Sequence, residues 1–199
     1  ERGEWQRPEP AEGELNSEMD EGIVSFSPDG MTMYLTMARR SPVANTTVEI
    51  YTSKRSEQSW SKPVKYEVTP DTLSAVGHPA VSPDGNWLYF TSDMPGGYGG
   101  KDIWRISLTS AKGSLENLGP QINTPGDEMF PYMRADTLLY FASDGHPGFG
   151  GLDLFRANLD ATGQRWTVEN MGMPINSSGD DFGITFGKGE EGFFSSNRG

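Results

Sequence analysis

Three features of the sequence predict an all-β fold, a β-propeller of four-stranded antiparallel blades. The chain repeats itself about every 53 residues, each repeat divides into four short β-like runs, and nothing in it carries helical periodicity. Of 199 residues, 25 are glycine and 14 proline, which suits many short strands joined by tight turns and leaves no room for long helices.

The repeat rests on four signatures in one register. SFSPDGMTMYLT (25–36) returns as AVSPDGNWLYFTSD (80–93), then as YMRADTLLYFASD (132–144) and, degenerate, as TFGKGEEGFFSSN (185–197), so Tyr34, Tyr89, Tyr140 and Phe193 follow one another at 55, 51 and 53 residues. LNSEMDEG (15–22), INTPGDEM (122–129) and INSSGDDF (175–182) form the second signature, and GGYGGKDIWR (96–105) with GFGGLDLFR (148–156) the third. WQRP (5–8) against WSKP (60–63) is the fourth.

Each element has a local reason. In the second repeat the four runs are 77–82, 86–92, 102–107 and 114–119. SPDG between the first two is a turn, since Pro pre-sets φ at its second position and Gly closes the fourth. Flanked by β-branched and aromatic residues, it reads as a hairpin loop. The whole chain, 1–199, is read as one propeller domain or part of one, with blades at about 20–68, 74–119 and 126–171 and an incomplete one at 178–199. Residues 4–11 read as the outer strand of a preceding or closing blade, giving about 3.75 blades. The expectation is an arc of a five- or six-bladed ring, with a gapped four-bladed ring as the alternative. Starting at Glu1 with neither an initiator Met nor a signal peptide, the chain is expected to be an excised or processed piece.

Composition narrows the partners. Sixteen Lys and Arg against 28 Asp and Glu leave a net charge of −12, the reverse of the clustered basic charge that phosphate binding demands. Nucleic acid and anionic membrane are therefore not expected as partners, while basic proteins and cations are compatible. With no cysteine, disulfides, thiolate metal sites and cysteine nucleophiles are excluded, and no apolar run is long enough to span a bilayer.

At these residues the chain resembles the WD-repeat-like, TolB-like propeller family, through SPDG, the Tyr-rich strand after it and the Asp-Ile-Trp or Asp-Leu-Phe strand that follows. The combination of 92–102, NTPGDE (123–128) and SSNRG (195–199) is narrower, and is similar to the propeller of OmpA-linked envelope proteins of the Bacteroidota, the PorE-type components of the type IX secretion system among them. The resemblance implies a periplasmic, outer-membrane-associated protein whose propeller holds other envelope proteins, with peptidoglycan gripped by an OmpA-like domain that this chain does not contain. Two departures stand out. The first blade has ARRSPVANTTVE (38–49) in place of a glycine-rich loop, and the third has lost Pro and Gly from its SPDG turn.

Propeller geometry places the candidate residues. Asp20, Glu21, Asp127, Glu128, Asp180 and Asp181 are expected to ring the channel mouth, with His78 at the equivalent place in the second blade and the glycine-rich loops 93–101 and 144–151 beside them. Such a ring could take a cation or a basic segment. Equally, its carboxylates could accept backbone N–H groups and tie adjacent blades together, the favoured reading because Asp and Asn do this routinely in turns. Calcium needs six to eight converging oxygens, and two histidines in different blades are too few for a transition metal, so no metal or cofactor is expected. GGYGG lacks the helix and the Lys-Ser/Thr pair of a phosphate cradle. Tyr98 and Phe149 at the loop tips, with Lys101 and His146 near them, are the candidate partner-binding residues, although packing between neighbouring loops would also account for the rings. No G-x-S-x-G elbow is present, and no catalytic residue is assigned. Asn45 and Asn176 fit the glycosylation pattern weakly, and the five Trp read as outer-strand and inter-blade packing, with Trp5 and Trp60 at one repeat position.

The function expected is a non-catalytic protein-binding scaffold of the bacterial envelope. A glycan- or peptidoglycan-binding module and an accessory propeller of a larger enzyme are the alternatives.

Overall fold

The computed structural model describes residues 7, 9–39, 47–57, 59–71, 73–110, 114–187 and 189–199, and every element among them is a strand. Three four-stranded antiparallel sheets follow one another, each in simple meander order. The first holds β1 (Asp20–Phe26), β2 (Thr32–Arg39), β3 (Thr47–Lys54) and β4 (Val64–Lys65). The second holds β5 (Val76–Val81), β6 (Trp87–Ser92), β7 (Asp102–Ser107) and β8 (Leu115–Asn117). The third holds β9 (Glu128–Ala135), β10 (Leu138–Ser143), β11 (Asp153–Leu159) and β12 (Trp166–Asn170). A two-stranded sheet, β13 (Asp181–Phe186) with β14 (Gly192–Ser196), completes the described chain. The four runs expected in the second blade are thus its four strands.

Trp5 and Asn45 lie outside the described residues. So do 4–6 and 8 of the strand expected at 4–11, while 7 and 9–11 form no strand; just after them the chain meets the first blade through a bridge between Gly13 and Trp60 and through buried Leu15, which packs with Met33, Leu35 and Met37.

The blades stack by one rule. The innermost strand of each packs on the first three strands of its predecessor: β5 on β1, β2 and β3, β9 on β5, β6 and β7, and β13 on β9, β10 and β11. The cores therefore lie between blades. Tyr34, Ile50 and Val68 meet Leu88, Phe90 and Trp104 at the first joint, and Tyr89, Ile103 and Ile122 meet Leu139, Phe141 and Phe155 at the second. A middle strand is covered on both faces, which is why Leu88-Tyr89-Phe90 and Leu139-Tyr140-Phe141 are continuously apolar rather than alternating. Among the described residues no strand of the first blade touches one of the fourth, so the described blades form an open arc.

A bulge recurs in the innermost strands. Pairing with the second strand slips at residues 78–79, 130–131 and 183–184, where His78, Phe130 and Gly183 have φ of 51°, 55° and 66°. Glycine takes this conformation freely, whereas His78 and Phe130 each bear roughly 1–2 kcal/mol of strain. Pro79 and Pro131 sit inside two of these bulges, where no ladder hydrogen bond is lost.

The glycine-rich loops press against the entry to the next blade. A methyl group at Gly99 would overlap the carbonyl oxygen of Thr124, and one at Gly150 would overlap that of Gly179. Gly99→Ala should therefore destabilise by about 1–3 kcal/mol, the range for overpacking against rigid backbone, lowering Tm by roughly 2–12 °C. Gly189→Ala, with open space around its Cβ, should shift stability by no more than about 0.5 kcal/mol. Calorimetry of the two variants checks the difference.

Candidate functional site: the blade joints and the loop face

Asp102 and Asp153 open β7 and β11 and are almost fully buried. Each bends the preceding glycine loop over itself. Asp102 Oδ2 accepts the Tyr98 N–H at 2.6 Å and the Asn117 side-chain N–H at 2.7 Å, and Asp153 Oδ2 accepts the Phe149 N–H. Their other oxygens are buried without a hydrogen-bond partner, so each loop closes over a half-satisfied carboxylate.

A buried asparagine then brackets each blade to the next. Asn123 accepts the Ile103 N–H at 2.8 Å and donates to the Ile103 carbonyl and to Asn117. Asn176 does the same with Leu154 and Asn170. Each thereby mimics one residue of an additional strand. Buried in that role, Asn176 offers no glycosylation acceptor.

The acidic pairs complete the joints. Asp127 accepts the Lys101 backbone N–H at 2.8 Å and its ammonium at 2.9 Å, while the Gly100 and Glu128 N–H groups bond to the carbonyls of Gly126 and Lys101. Asp180 accepts the Leu152 N–H at 2.9 Å in the same way, and the Asp181 N–H donates to the Leu152 carbonyl. Asp144 and Asn197, at the ends of the second strands, accept the N–H groups of Asp127 and Asp180.

The expected acidic ring is accordingly not an open one. Glu128 and Asp181 are fully buried, turned onto Thr124 and Ser143 and onto Ser177 and Arg198 respectively. Burial opposes ionisation of Asp181, but hydrogen bonds from Ser196, Ser177 and Arg198 outweigh it and hold its carboxyl below the usual range. Asp20 and Glu21 remain exposed, with Glu21 accepting the Ser17 N–H at 2.9 Å. Among the described residues no three His, Asp or Glu converge as metal ligands would.

Neither histidine is presented outward. His78 stacks on Phe130 with ring centroids 4.1 Å apart, Phe130 stacks in turn on Phe182 at 5.0 Å, and His78 Nδ1 faces the Phe130 N–H at 3.4 Å. His146, expected at a partner surface, instead bonds through Nε2 to the Ile122 carbonyl at 2.8 Å, its ring against Phe141 and Phe155. Of the four loop residues singled out, Tyr98 and Phe149 present rings to solvent, 49% and 52% exposed at equivalent places in two blades, while the partly exposed Lys101 is held by Asp127. The bulged strands also enclose a cleft of about 500 Å³ lined by Ile23, Phe26, Phe130, Tyr132 and Ile184, and its apolar wall was not foreseen. Asp102, Asp153 and Asn123 were not singled out, and Asn176 only for its glycosylation pattern, though GG-x-D and I-N already marked all four as repeating.

Burial, with a smaller effect from nearby Lys101, pulls His78 from 6.5 down to about 4. Between those values the unfolded chain takes up a proton that the folded chain refuses, so stability falls as pH falls across that window. His78→Asn tolerates the positive φ but cannot titrate. Urea titrations at pH 7, 5.5 and 4.5 should show the wild type's advantage over this variant shrinking with each step, whereas a constant difference would leave His78 no part in the acid response.

No family model matches the chain, and no curated protein matches it. Solved structures do. TolB from Acinetobacter baumannii is 15% identical with a TM-score of 0.52, over 92% of this chain and 42% of that one. A prolyl endopeptidase is 14% identical with a TM-score of 0.55, over 88% and 23%. A puromycin-hydrolyzing peptidase from Mycobacterium tuberculosis is 15% identical with a TM-score of 0.52, over 81% and 25%. The chain spans less than half the length of each, and at such identity the likeness concerns fold alone. It establishes that fold as consecutive β-propeller blades of the kind found in TolB and in the prolyl peptidases.

Proposed function

We propose that the chain is a non-catalytic protein-binding scaffold of the bacterial cell envelope, working in the periplasm within an outer-membrane or secretion assembly. One observation carries the reading. Asp102, Asp127, Asp153 and Asp180 are spent on the glycine loops and blade joints, whereas Tyr98 and Phe149 stand half-exposed on loops whose backbones are locked from beneath. A rigid aromatic ring presented without loss of loop entropy is what a protein-recognition hot spot requires. The envelope placement is supported by the sequence resemblance to OmpA-linked propellers, and the similarity to TolB in fold is compatible with it.

The same two rings could stack on sugars, so the test includes both ligand classes. Crosslinked pull-downs from envelope extract should recover a defined set of proteins with the wild type. Tyr98→Ala combined with Phe149→Ala should weaken that recovery by about 10-fold or more. Being at surface positions, the pair should move Tm by no more than a few degrees, since each change falls within roughly 0.5 kcal/mol. Recovery of no protein, together with glycan-array binding that the double variant loses, would replace this reading with the glycan-binding one. An accessory role in a larger enzyme predicts a catalytic domain in the flanking gene sequence.

A further inference from the structure

The two joints between four-stranded blades are filled differently at their outer ends. At the joint of the second and third blades, Trp166 of β12 is 7% exposed and shares a core with Ile122 and Ala157, with Leu118 and Leu159 packed against it. Its backbone N–H is caught by Gln121 Oε1 at 2.7 Å. In the ladder Leu159 lies opposite Trp166, two places beyond the pair of Ala157 and Val168. The same count one blade earlier starts from the pair of Ile106 and Leu115 and reaches Leu108 on β7. Two places before Leu115 the sequence has Gly113, which lies outside the described residues and has no side chain to contribute.

Where the second joint has that indole, the first has a groove of about 850 Å³, inside the range of roughly 300–1,000 Å³ typical of ligand sites. Both of its walls belong to complete four-stranded blades. Tyr66, Val68, Ile106, Leu108 and Leu115 make it apolar, and Leu115 is 37% exposed. Thr69 supplies a hydroxyl at the place of Gln121, 52 residues before it, the offset that also separates Val76 from Glu128 at the starts of β5 and β9. The charges beside the groove do not cancel. Among the described residues Lys65 is paired with Glu49 and Arg105 with Glu116, which leaves Glu67 on the groove and Asp71 in the adjoining depression, on a chain of net charge −12.

We infer that the groove between the first two blades is a docking site for a tryptophan of a partner polypeptide, flanked there by Lys or Arg. The indole takes the place that Trp166 fills one joint later, and the flanking cations face Glu67 and Asp71. A large aromatic side chain seated in a preformed apolar slot is the usual anchor of a hot spot. The inference goes beyond the scaffold reading and uses the outer rim instead of the loop face, so it stands even if Tyr98 and Phe149 bind nothing.

The probe is the tripeptide Lys-Trp-Lys, acetylated and amidated at its ends, titrated into the isotope-labelled intact chain and followed by NMR. Saturable shifts with a Kd on the order of 1 mM should centre on the amides of Val68, Thr69, Ile106, Leu108 and Leu115. Lys-Ala-Lys should produce none of them, and Glu-Trp-Glu should bind about 3- to 10-fold more weakly at low salt. Leu115→Ser should weaken Lys-Trp-Lys by about 3- to 10-fold while the amide signals of β10 and β11 stay in place. Tyr98→Ala with Phe149→Ala should leave the titration unchanged, which separates this site from the loop face. Equal shifts with Lys-Ala-Lys, equal binding of Glu-Trp-Glu, or no shift at about 10 mM Lys-Trp-Lys would each overturn the inference. So would shifts at the same amides that grow with protein concentration alone, because a second copy of the chain would then fill the groove.

Discussion

The arc depends on one recurring joint, in which a carboxylate at the start of an innermost strand holds the loop of the blade before it. Asp127 clasps Lys101 and Asp180 clasps Leu152, each through a backbone N–H, and the neighbouring residue returns its own N–H to the same loop. Charge-assisted bonds from backbone amides are stronger than neutral ones and hold the loop in a single pose. The exposed ammonium of Lys101 adds little, because a solvent-facing pair gains modestly against screening. With the loop pinned, the glycines at 99 and 150 can lie directly on the next blade, and Phe141, Phe155 and Ile122 share one buried core.

Among the described residues, the joint between the first two blades carries side-chain hydroxyl acceptors: Thr36 accepts the His78 N–H and Ser25 accepts the Val81 N–H, both at 2.9 Å. Hydroxyl acceptors are weaker than carboxylates, and here the apolar contact of Tyr34 and Ile50 with Phe90 and Trp104 does more of the holding. The same economy of parts explains what is left outside. Once Asp, Asn and His are drawn into the joints, the exposed features of the loop face are two aromatic rings, and the inner strands face an apolar cleft.

The strand pattern and its period were legible because each blade repeats its turn and strand chemistry, so that SPDG and the Leu-Tyr-Phe run locate strands wherever they recur. The site was less legible, and the acidic pairs show why. Asp127 and Glu128 are adjacent and alike in sequence, yet alternation along the strand sends one to the preceding loop and the other into the body of its own blade. Pattern alone cannot say which. His146 sits in turn-like sequence and could be given to the surface, but the closure of its loop lays the ring against Phe141 and Phe155. Asp102 and Asp153 looked like ordinary strand residues, and their role follows only from a loop folding back over them. The apolar cleft needs four strands brought together from across 160 residues, which no local motif encodes.

Amide hydrogen exchange on Asp127→Asn tests the joint most directly. If the carboxylate holds the second blade's loop to the third, protection should fall at Gly100, Lys101 and Asp127, while the amides shared between β10 and β11 keep theirs. Unchanged protection at Gly100 and Lys101, or an even loss across the whole third blade, would contradict the account.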